Sequence, residues 1–404
     1  MTGRLPRPGD FAAPPDTADA ARWAEADEAA RPARLARLRA RLAAEGLDAY
    51  LGVRPENSRY LTGFRLGDGE ERVAGNSGRF LVSGDEVVVL ADSRYTIQAG
   101  REARGARVVP VTYDLAAGWA DLVGSVGARR VAVEAAFVSH AGWTGLQAAA
   151  PAVELVPVEG WAEADRAVKE PAEVERIRAA CAVADRSLAT LLPEIRVGVT
   201  DAHLAWRLEV LMRTGGADGL AFDVACLAGP EAALPHGSPG DRPVLDGAVL
   251  LFDFGAHVDG YRSDMTRTLF VGGPTARDLA LYDLVARAQA ATIAEVERAA
   301  SDGTSPDGRA LDAAARSVID AAGYGDHFGH GTGHGIGLAT HEAPSLSRVA
   351  PQTPLPSPTV FSVEPGVYLE GETGVRIEDL VLFDPAGRRA ERLTSFPRDV
   401  LVVG

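Results

Sequence analysis

The stretch Val249-Leu-Leu-Phe-Asp253-Phe-Gly-Ala-His-Val-Asp-Gly-Tyr-Arg-Ser-Asp264-Met-Thr-Arg-Thr-Leu-Phe270 restricts the fold more than any other part of the chain. Apolar, strand-like runs flank Asp259-Gly260, a dipeptide favoured in tight hairpins because both central residues need positive φ. Centred there, the hairpin sets Asp253 opposite Thr266 and Asp264 opposite Gly255. The two aspartates are then diagonal neighbours on one face. A turn one residue earlier, at Val258-Asp259, opposes them directly. In both registers two carboxylates converge among apolar residues. A lone Asp in such a place reads as a turn starter or a cap. Two like charges held together are costly unless a cation or a shared proton compensates, so the pair reads as metal ligands.

A second cluster is Phe328-Gly-His330-Gly-Thr-Gly-His334-Gly-Ile-Gly-Leu-Ala-Thr-His341-Glu342, with three of the chain's eight histidines inside twelve positions. Glycine at 329, 331, 333, 335 and 337 disfavours helix. It also predicts a backbone that comes close to a ligand. Imidazole suits borderline divalent metals. The third cluster puts Glu364 between Val363 and Pro365, and Glu378 after Arg376 in Gly-Val-Arg-Ile-Glu. Arg376 with Glu378 alone would pass for a surface ion pair of little energetic value; Glu364 in an apolar run would not. Two Asp, at least one His and two Glu favour hard to borderline divalent ions. Such a set can neutralise two metals about 3.5–4 Å apart that activate water and polarise a carbonyl. The residues therefore read as a metal-assisted hydrolase.

The rest of the chain frames this site. Its 404 residues predict two to three domains. With 41 Lys and Arg against 56 Asp and Glu, the net charge of −15 repels phosphate backbones and anionic bilayers, so neither nucleic acid nor membrane is an expected partner. No apolar run is long enough to span a bilayer, and two cysteines build no disulfide framework, which suits the cytoplasm. The single lysine, Lys169, among many arginines reads as genome composition.

Residues 1–27 read as a loose arm rich in Pro and Ala. A helix is expected from Ala29 to Glu45, where Pro32 is tolerable in the first turn. Apolar runs at 48–53, 79–82, 86–91, 129–133 and 153–157 alternate with Ala-rich segments and predict an α/β domain over 28–165. Pro171 opens a predicted helix to Leu191, and Thr200 or Asp201 caps another to Thr214. Beyond Gly219 strands, turns and glycines dominate, so a second domain is placed at 168–404.

In order, Asp253, Asp264, His334, Glu364 and Glu378 resemble the pita-bread metallopeptidases, which include methionine aminopeptidase, aminopeptidase P and prolidase. DFGAHVDGYRSDMTRT, GHGTGHGIGLATHEAP, and SVEPGVY followed by GVRIED resemble the Xaa-Pro branch. Ala233-Leu-Pro-His236-Gly matches its upstream histidine. Asn57–Phe64 and Ala91–Ala99 are similar to the creatinase/prolidase-type N-terminal domain. The resemblance covers about residues 30 to 404. It implies an α/β N-terminal domain and an α+β pita-bread catalytic domain.

By position, the resemblance implies that Asp253, Asp264, His334, Glu364 and Glu378 hold two divalent ions, Mn foremost and otherwise Co or Zn. Asp264 and Glu378 would bridge them, and Glu364 would also shuttle the proton. His236, His330 and His341 would line the pocket, with His341 hydrogen-bonding substrate or transition state. Arg376 would orient carboxylates. The implied reaction is hydrolysis, by metal-activated hydroxide, of the bond between an N-terminal residue and a following proline. The implied assembly is a homodimer. The chain departs from relatives at Pro358-Thr359, where Gly-Met is common, and 347–358 is unusually proline-rich. Prolidases tend to hold a dipeptide carboxylate with an arginine in this loop, and Arg348, the nearby candidate, is poorly in register. That favours an Xaa-Pro aminopeptidase over the alternative, a strict Xaa-Pro dipeptidase. A metal-free creatinase-like hydrolase and an inactive binding module both rank lower, because no ligand position is replaced.

Overall fold

Strands β1 (Ala49–Gly52), β2 (Phe80–Ser83), β3 (Val87–Ala91), β4 (Arg107–Pro110), β5 (Arg130–Glu134) and β6 (Glu154–Val158) form one mixed sheet in the order β4-β3-β2-β1-β5-β6. The computed structural model describes residues 3–67, 69–70, 73–112 and 114–404. Its contacts divide the chain into two units: Ala21–Arg166, and Ala167–Gly404 together with the residues before Ala21. In the first unit β1, β2 and β3 are buried throughout, as their continuous apolar runs predict. Leu51, Leu81, Val88, Leu90, Trp119 and Val133 fill the core beside them. The sequence reading misses β4, an edge strand whose residues are exposed or half-buried and so lack a buried run. Helices α2 (Pro55–Thr62), α3 (Thr96–Glu102), α4 (Leu115–Ser125) and α5 (His140–Ala149) join the strands, and α6 (Trp161–Ala167) follows β6.

The first helix, α1, spans Thr17–Ala44 rather than starting at Ala29, so Pro32 lies in its interior. Asp16 explains the early start: its Oδ1 accepts from Ala18 N at 2.8 Å and Asp19 N at 3.0 Å, while Asp19 returns a bond to Asp16 N at 3.1 Å. The arm before it is docked, not loose. Gly3 N donates to Val400 O at 2.9 Å, Arg186 Nη1 donates to Pro8 O at 3.0 Å, and Phe11 stacks on Phe396 at 6.0 Å. The apolar ring gives an otherwise polar, proline-rich segment something to bury.

In the second unit α7 (Pro171–Leu191) begins at a capping box between Glu170 and Glu173, and α8 (Asp201–Thr214) at the Thr200 hydroxyl. The remaining strands are β7 (Gly219–Leu220), β8 (Ala225–Ala228), β9 (Val249–Phe254), β10 (Ala256–Val258), β11 (Tyr261–Arg262), β12 (Met265–Val271), β13 (Gly333–Gly335), β14 (Glu342–Leu346), β15 (Thr359–Val363), β16 (Gly366–Leu369), β17 (Thr373–Arg376), β18 (Asp379–Asp384), β19 (Arg389–Arg392) and β20 (Val402–Val403). One sheet runs β20-β12-β9-β8 and another β14-β13-β15-β18-β19.

The first hairpin register is the one adopted. Asp259 and Gly260 have φ of 41° and 81°, and Asp253 pairs with Thr266. The texture beyond Gly219 is not strands alone, because α9 (Ala276–Asp302) and α10 (Gly308–Ala321) intervene. Their signals stand in the sequence: a Thr275–Asp278 capping box, a left-handed Gly303 after α9, and Asp307 capping α10. Leu281, Val285, Ala315 and Ile319 from these helices pack with Leu251, Phe270, Val367 and Val375 of the sheets.

Candidate metal centre

Asp253 is the penultimate residue of the buried strand β9, and Asp264 immediately precedes the buried strand β12. Ser263 Oγ accepts from Ala256 N at 2.9 Å and pins the backbone next to Asp264. His334 is central in β13, Glu364 follows β15, and Glu378 lies between β17 and β18. All nine residues singled out above, Asp253, Asp264, His236, His330, His334, His341, Glu364, Arg376 and Glu378, line one cavity of about 510 Å³.

The tightest group is Asp264, His334 and Glu378, each offering a ligand atom within 4.8 Å of the others. His334 Nε2 also lies 3.4 Å from Glu364 Oε1 and 3.6 Å from Asp264 Oδ2. Its Nδ1 is 3.0 Å from Gly335 O, so the Nδ1 proton goes to that carbonyl and Nε2 faces the carboxylates with its lone pair. Asp253 Oδ1 and Glu378 Oε1 are buried with no hydrogen-bond partner. An ionised oxygen in that state is expensive. Burial pushes Asp264 well above the usual carboxylate range, and Glu378, Asp253 and Glu364 push it further. Burial, then Glu364 and Asp253, does the same to Glu378. Asp253 is also raised by burial, against the pull of Arg376. Divalent cations would satisfy the orphaned oxygens and offset this repulsion, so the donor set fits a metal.

The glycines of the histidine-rich run have a use beyond the one expected. A Cβ on Gly333 would lie 1.9 Å from Ser362 O, and one on Gly335 2.1 Å from Ala343 O. They admit neighbouring backbone, which brings β13 against β14 and β15, and Gly331 and Gly333 also line the cavity. The run is held from behind by α10. Asp312 Oδ1 accepts from Thr332 N and Oγ1 at 3.0 and 2.9 Å, and Arg316 Nη2 donates to His330 O at 2.7 Å.

A hydrogen-bonded chain borders the carboxylates. Arg376 Nη2 donates to Asp253 Oδ2 at 2.6 Å, Nε to Thr266 Oγ1 at 2.9 Å and Nη1 to Tyr368 Oη at 2.8 Å. Thr266 Oγ1 in turn donates to Glu378 Oε2 at 2.8 Å. His330 Nδ1 lies 2.7 Å from Gly331 O and takes the donor role there. Its Nε2 then accepts from Tyr368 Oη at 2.8 Å. Burial lowers His330 and pushes Tyr368 up to about 12. The sequence reading missed Tyr368 and Thr266. Tyr368 sits four residues beyond Glu364, in the same apolar run. His341 is solvent-exposed, with its ring 4.2 Å from that of His334. Partial enclosure and the neighbouring His334 lower it. His236 is exposed on the cavity lining, and so are Asp223 and Ser345. Arg348 is exposed and is not among the lining residues.

Residues 175–385 match the model of metallopeptidase family M24, and residues 34–168 match that of the creatinase/prolidase N-terminal domain. The chain is 34% identical over 358 residues to the uncharacterised peptidase YqhT of Bacillus subtilis, covering 89% of this chain and 96% of that one. Among solved structures, an Xaa-Pro dipeptidase from Bacillus anthracis aligns with a TM-score of 0.82 at 31% identity, over 92% of this chain and all of that one. An X-Pro aminopeptidase from Thermotoga maritima aligns with a TM-score of 0.79 at 33% identity, over 91% and 99%. The expected pairing of a creatinase-type N-terminal domain with a pita-bread catalytic domain is met. Divalent metal ions go with the family, and the carboxylate–histidine cluster is a candidate site for them. The chain belongs to metallopeptidase family M24.

Proposed function

We propose that this chain is an Xaa-Pro aminopeptidase, hydrolysing the bond between an N-terminal residue and a following proline. The observation that carries the reading is the pair of buried, unpartnered oxygens, Asp253 Oδ1 and Glu378 Oε1, beside the Asp264–His334–Glu378 group. Asp253, Asp264, His334, Glu364 and Glu378 would hold two divalent ions, with manganese our choice of metal. Bound there, the ions supply an activated water near neutral pH and polarise the scissile carbonyl. Glu364, oriented by the Ser362 hydroxyl at 3.1 Å, takes up the water's proton and returns it to the leaving proline nitrogen. His341 and His330 face the substrate side, and Arg376 fixes the Asp253 carboxylate for its ligand role.

The dipeptidase alternative draws on the similarity to the Bacillus anthracis Xaa-Pro dipeptidase. One observation weighs against it. Among the described residues no Lys or Arg lines the cavity except Arg376, whose guanidinium is committed to Asp253, Thr266 and Tyr368. A free dipeptide carboxylate therefore has no guanidinium to pair with. We further propose a cytoplasmic homodimer. In its support, both cysteines are free and buried, and no helix of the described residues is long and apolar enough to cross a membrane. The dimer rests on the resemblance.

The test compares cleavage of Xaa-Pro and Xaa-Pro-Yaa by metal-stripped chain reloaded with Mn, Co or Zn. Faster turnover of the tripeptide supports the aminopeptidase. Turnover confined to the dipeptide replaces it with the dipeptidase, and undiminished activity after stripping removes both. Sedimentation at micromolar concentration decides the dimer.

A further inference from the structure

Lys169 stands alone as lysine in a chain otherwise supplied with arginine. Composition accounts for the arginines but not for the exception. The Lys169 ammonium lies 3.0 Å from Glu342 Oε2, and the two side chains are 1% and 3% exposed. The other carboxylate oxygen of Glu342 accepts from Ala339 N at 2.8 Å, tying off the turn that carries His341. Three further bonds tether that turn: Gly337 N to Ala339 O at 3.1 Å, Arg262 N to Gly337 O at 3.0 Å, and Thr340 Oγ1 to Ala221 O at 3.0 Å. Lys169 is itself anchored by its N–H, which donates to Pro358 O at 2.7 Å just before β15.

We propose that Lys169 is a positioning residue for His341: by neutralising the buried Glu342 carboxylate, it sets the turn that holds the His341 ring beside His334. Space explains the choice of lysine. A Cβ on Gly337 would already lie 2.9 Å from Lys169 Nζ and 3.0 Å from Glu342 Oε2. A planar guanidinium is larger than a compact ammonium and cannot replace it there without displacing the turn. The proposal rests on the peptidase reading above for its activity assay, but not for its spectroscopic one.

The test uses the full chain, with Lys169→Arg and Glu342→Gln each made in wild-type and His341→Gln backgrounds. In the wild-type background each change is expected to lower kcat/KM on an Xaa-Pro-Yaa peptide by about 10- to 100-fold. In the His341→Gln background the same changes should cost less than about threefold, because the residue they act through is gone. In parallel, the His341 imidazole NMR signal, assigned by its loss in His341→Gln, should move in both variants while that of exposed His203 stays. Equal factors in the two backgrounds, or an unmoved His341 signal, overturn the proposal. If either variant fails to fold, the paired change Lys169→Met with Glu342→Leu fills the space without a buried charge. It is expected to give the same loss and the same shift, and wild-type behaviour in it overturns the proposal. A wild-type chain that cleaves no Xaa-Pro peptide would defeat the proposed function, while the NMR comparison still decides the role of Lys169.

Discussion

Arg376 Nη2 lies 2.6 Å from Asp253 Oδ2, with the arginine side chain 3% exposed, and this contact leaves Asp253 Oδ1 as the oxygen available to a cation. One guanidinium thus decides which of two equivalent oxygens is free. Arg376→Lys keeps the charge but loses the fork that also reaches Thr266 and Tyr368. Metal affinity measured by calorimetry is expected to fall about 10- to 100-fold, with a matching fall in peptide cleavage. Wild-type affinity in this variant would remove the orienting role.

Glu378→Gln preserves the shape of a side chain that accepts from Thr266 Oγ1 at 2.8 Å but removes a buried charge. Wild-type chain at a hundredfold excess of metal over Kd should gain about 2.7 kcal/mol of stability. The variant should lose most of that gain without a loss of metal-free stability. Thermal melts with and without Mn make the comparison. An equal gain in both proteins would take Glu378 out of the ligand set.

Asp185, on α7, accepts from Ser395 N at 2.7 Å and Phe396 N at 3.1 Å, and burial raises it to about 7. Its folded value lies above its unfolded one. Between about pH 4 and pH 7 the folded chain therefore keeps a proton that the unfolded chain has released. This contribution to stability is complete below about pH 4 and is lost as pH rises through about 7, with a slope approaching 1.4 kcal/mol per pH unit. Asp185→Asn keeps one of the two acceptor oxygens and loses the other bond, which lowers stability at every pH. It should also flatten that part of the profile, measured by urea unfolding between pH 4 and pH 8. A profile identical to wild type would refute it.

Ser345 pairs with His334 across β13 and β14 and lines the cavity. Ser345→Arg places a cation where none is free. It should raise kcat/KM for the Xaa-Pro dipeptide relative to Xaa-Pro-Yaa by about tenfold, the worth of one charge-assisted hydrogen bond. An unchanged ratio would mean that the dipeptide carboxylate does not reach this strand.

The cluster of carboxylates and imidazoles that lines the cavity was legible because its chemistry contradicts its surroundings. Asp253 and Glu364 stand in apolar runs where strand periodicity predicts burial, and Asp259-Gly260 sets the register by demanding two positive φ values. What the sequence hides is partnership across distance. Arg376 reads as a surface mate of Glu378, two residues away, yet it bonds to Asp253, 123 positions earlier. Tyr368 looks like core, and only its neighbours Arg376 and His330 draw its hydroxyl into the site. The glycines at 333 and 335 leave room for Ser362 and Ala343 carbonyls, which no local pattern announces. Helices α9 and α10 carried ordinary capping signals that a strand-rich texture masked.

The burial of the only lysine has a practical outcome for anyone handling the protein. Within these 404 residues a lysine-specific protease has a single target peptide bond, after Lys169, one residue past the stretch that matches the N-terminal family model. The folded chain keeps that bond's side chain 1% exposed and resists the enzyme, whereas an opened chain is cut once into two fragments. Amine-reactive dyes meet the same barrier at the Lys169 ammonium in the native protein.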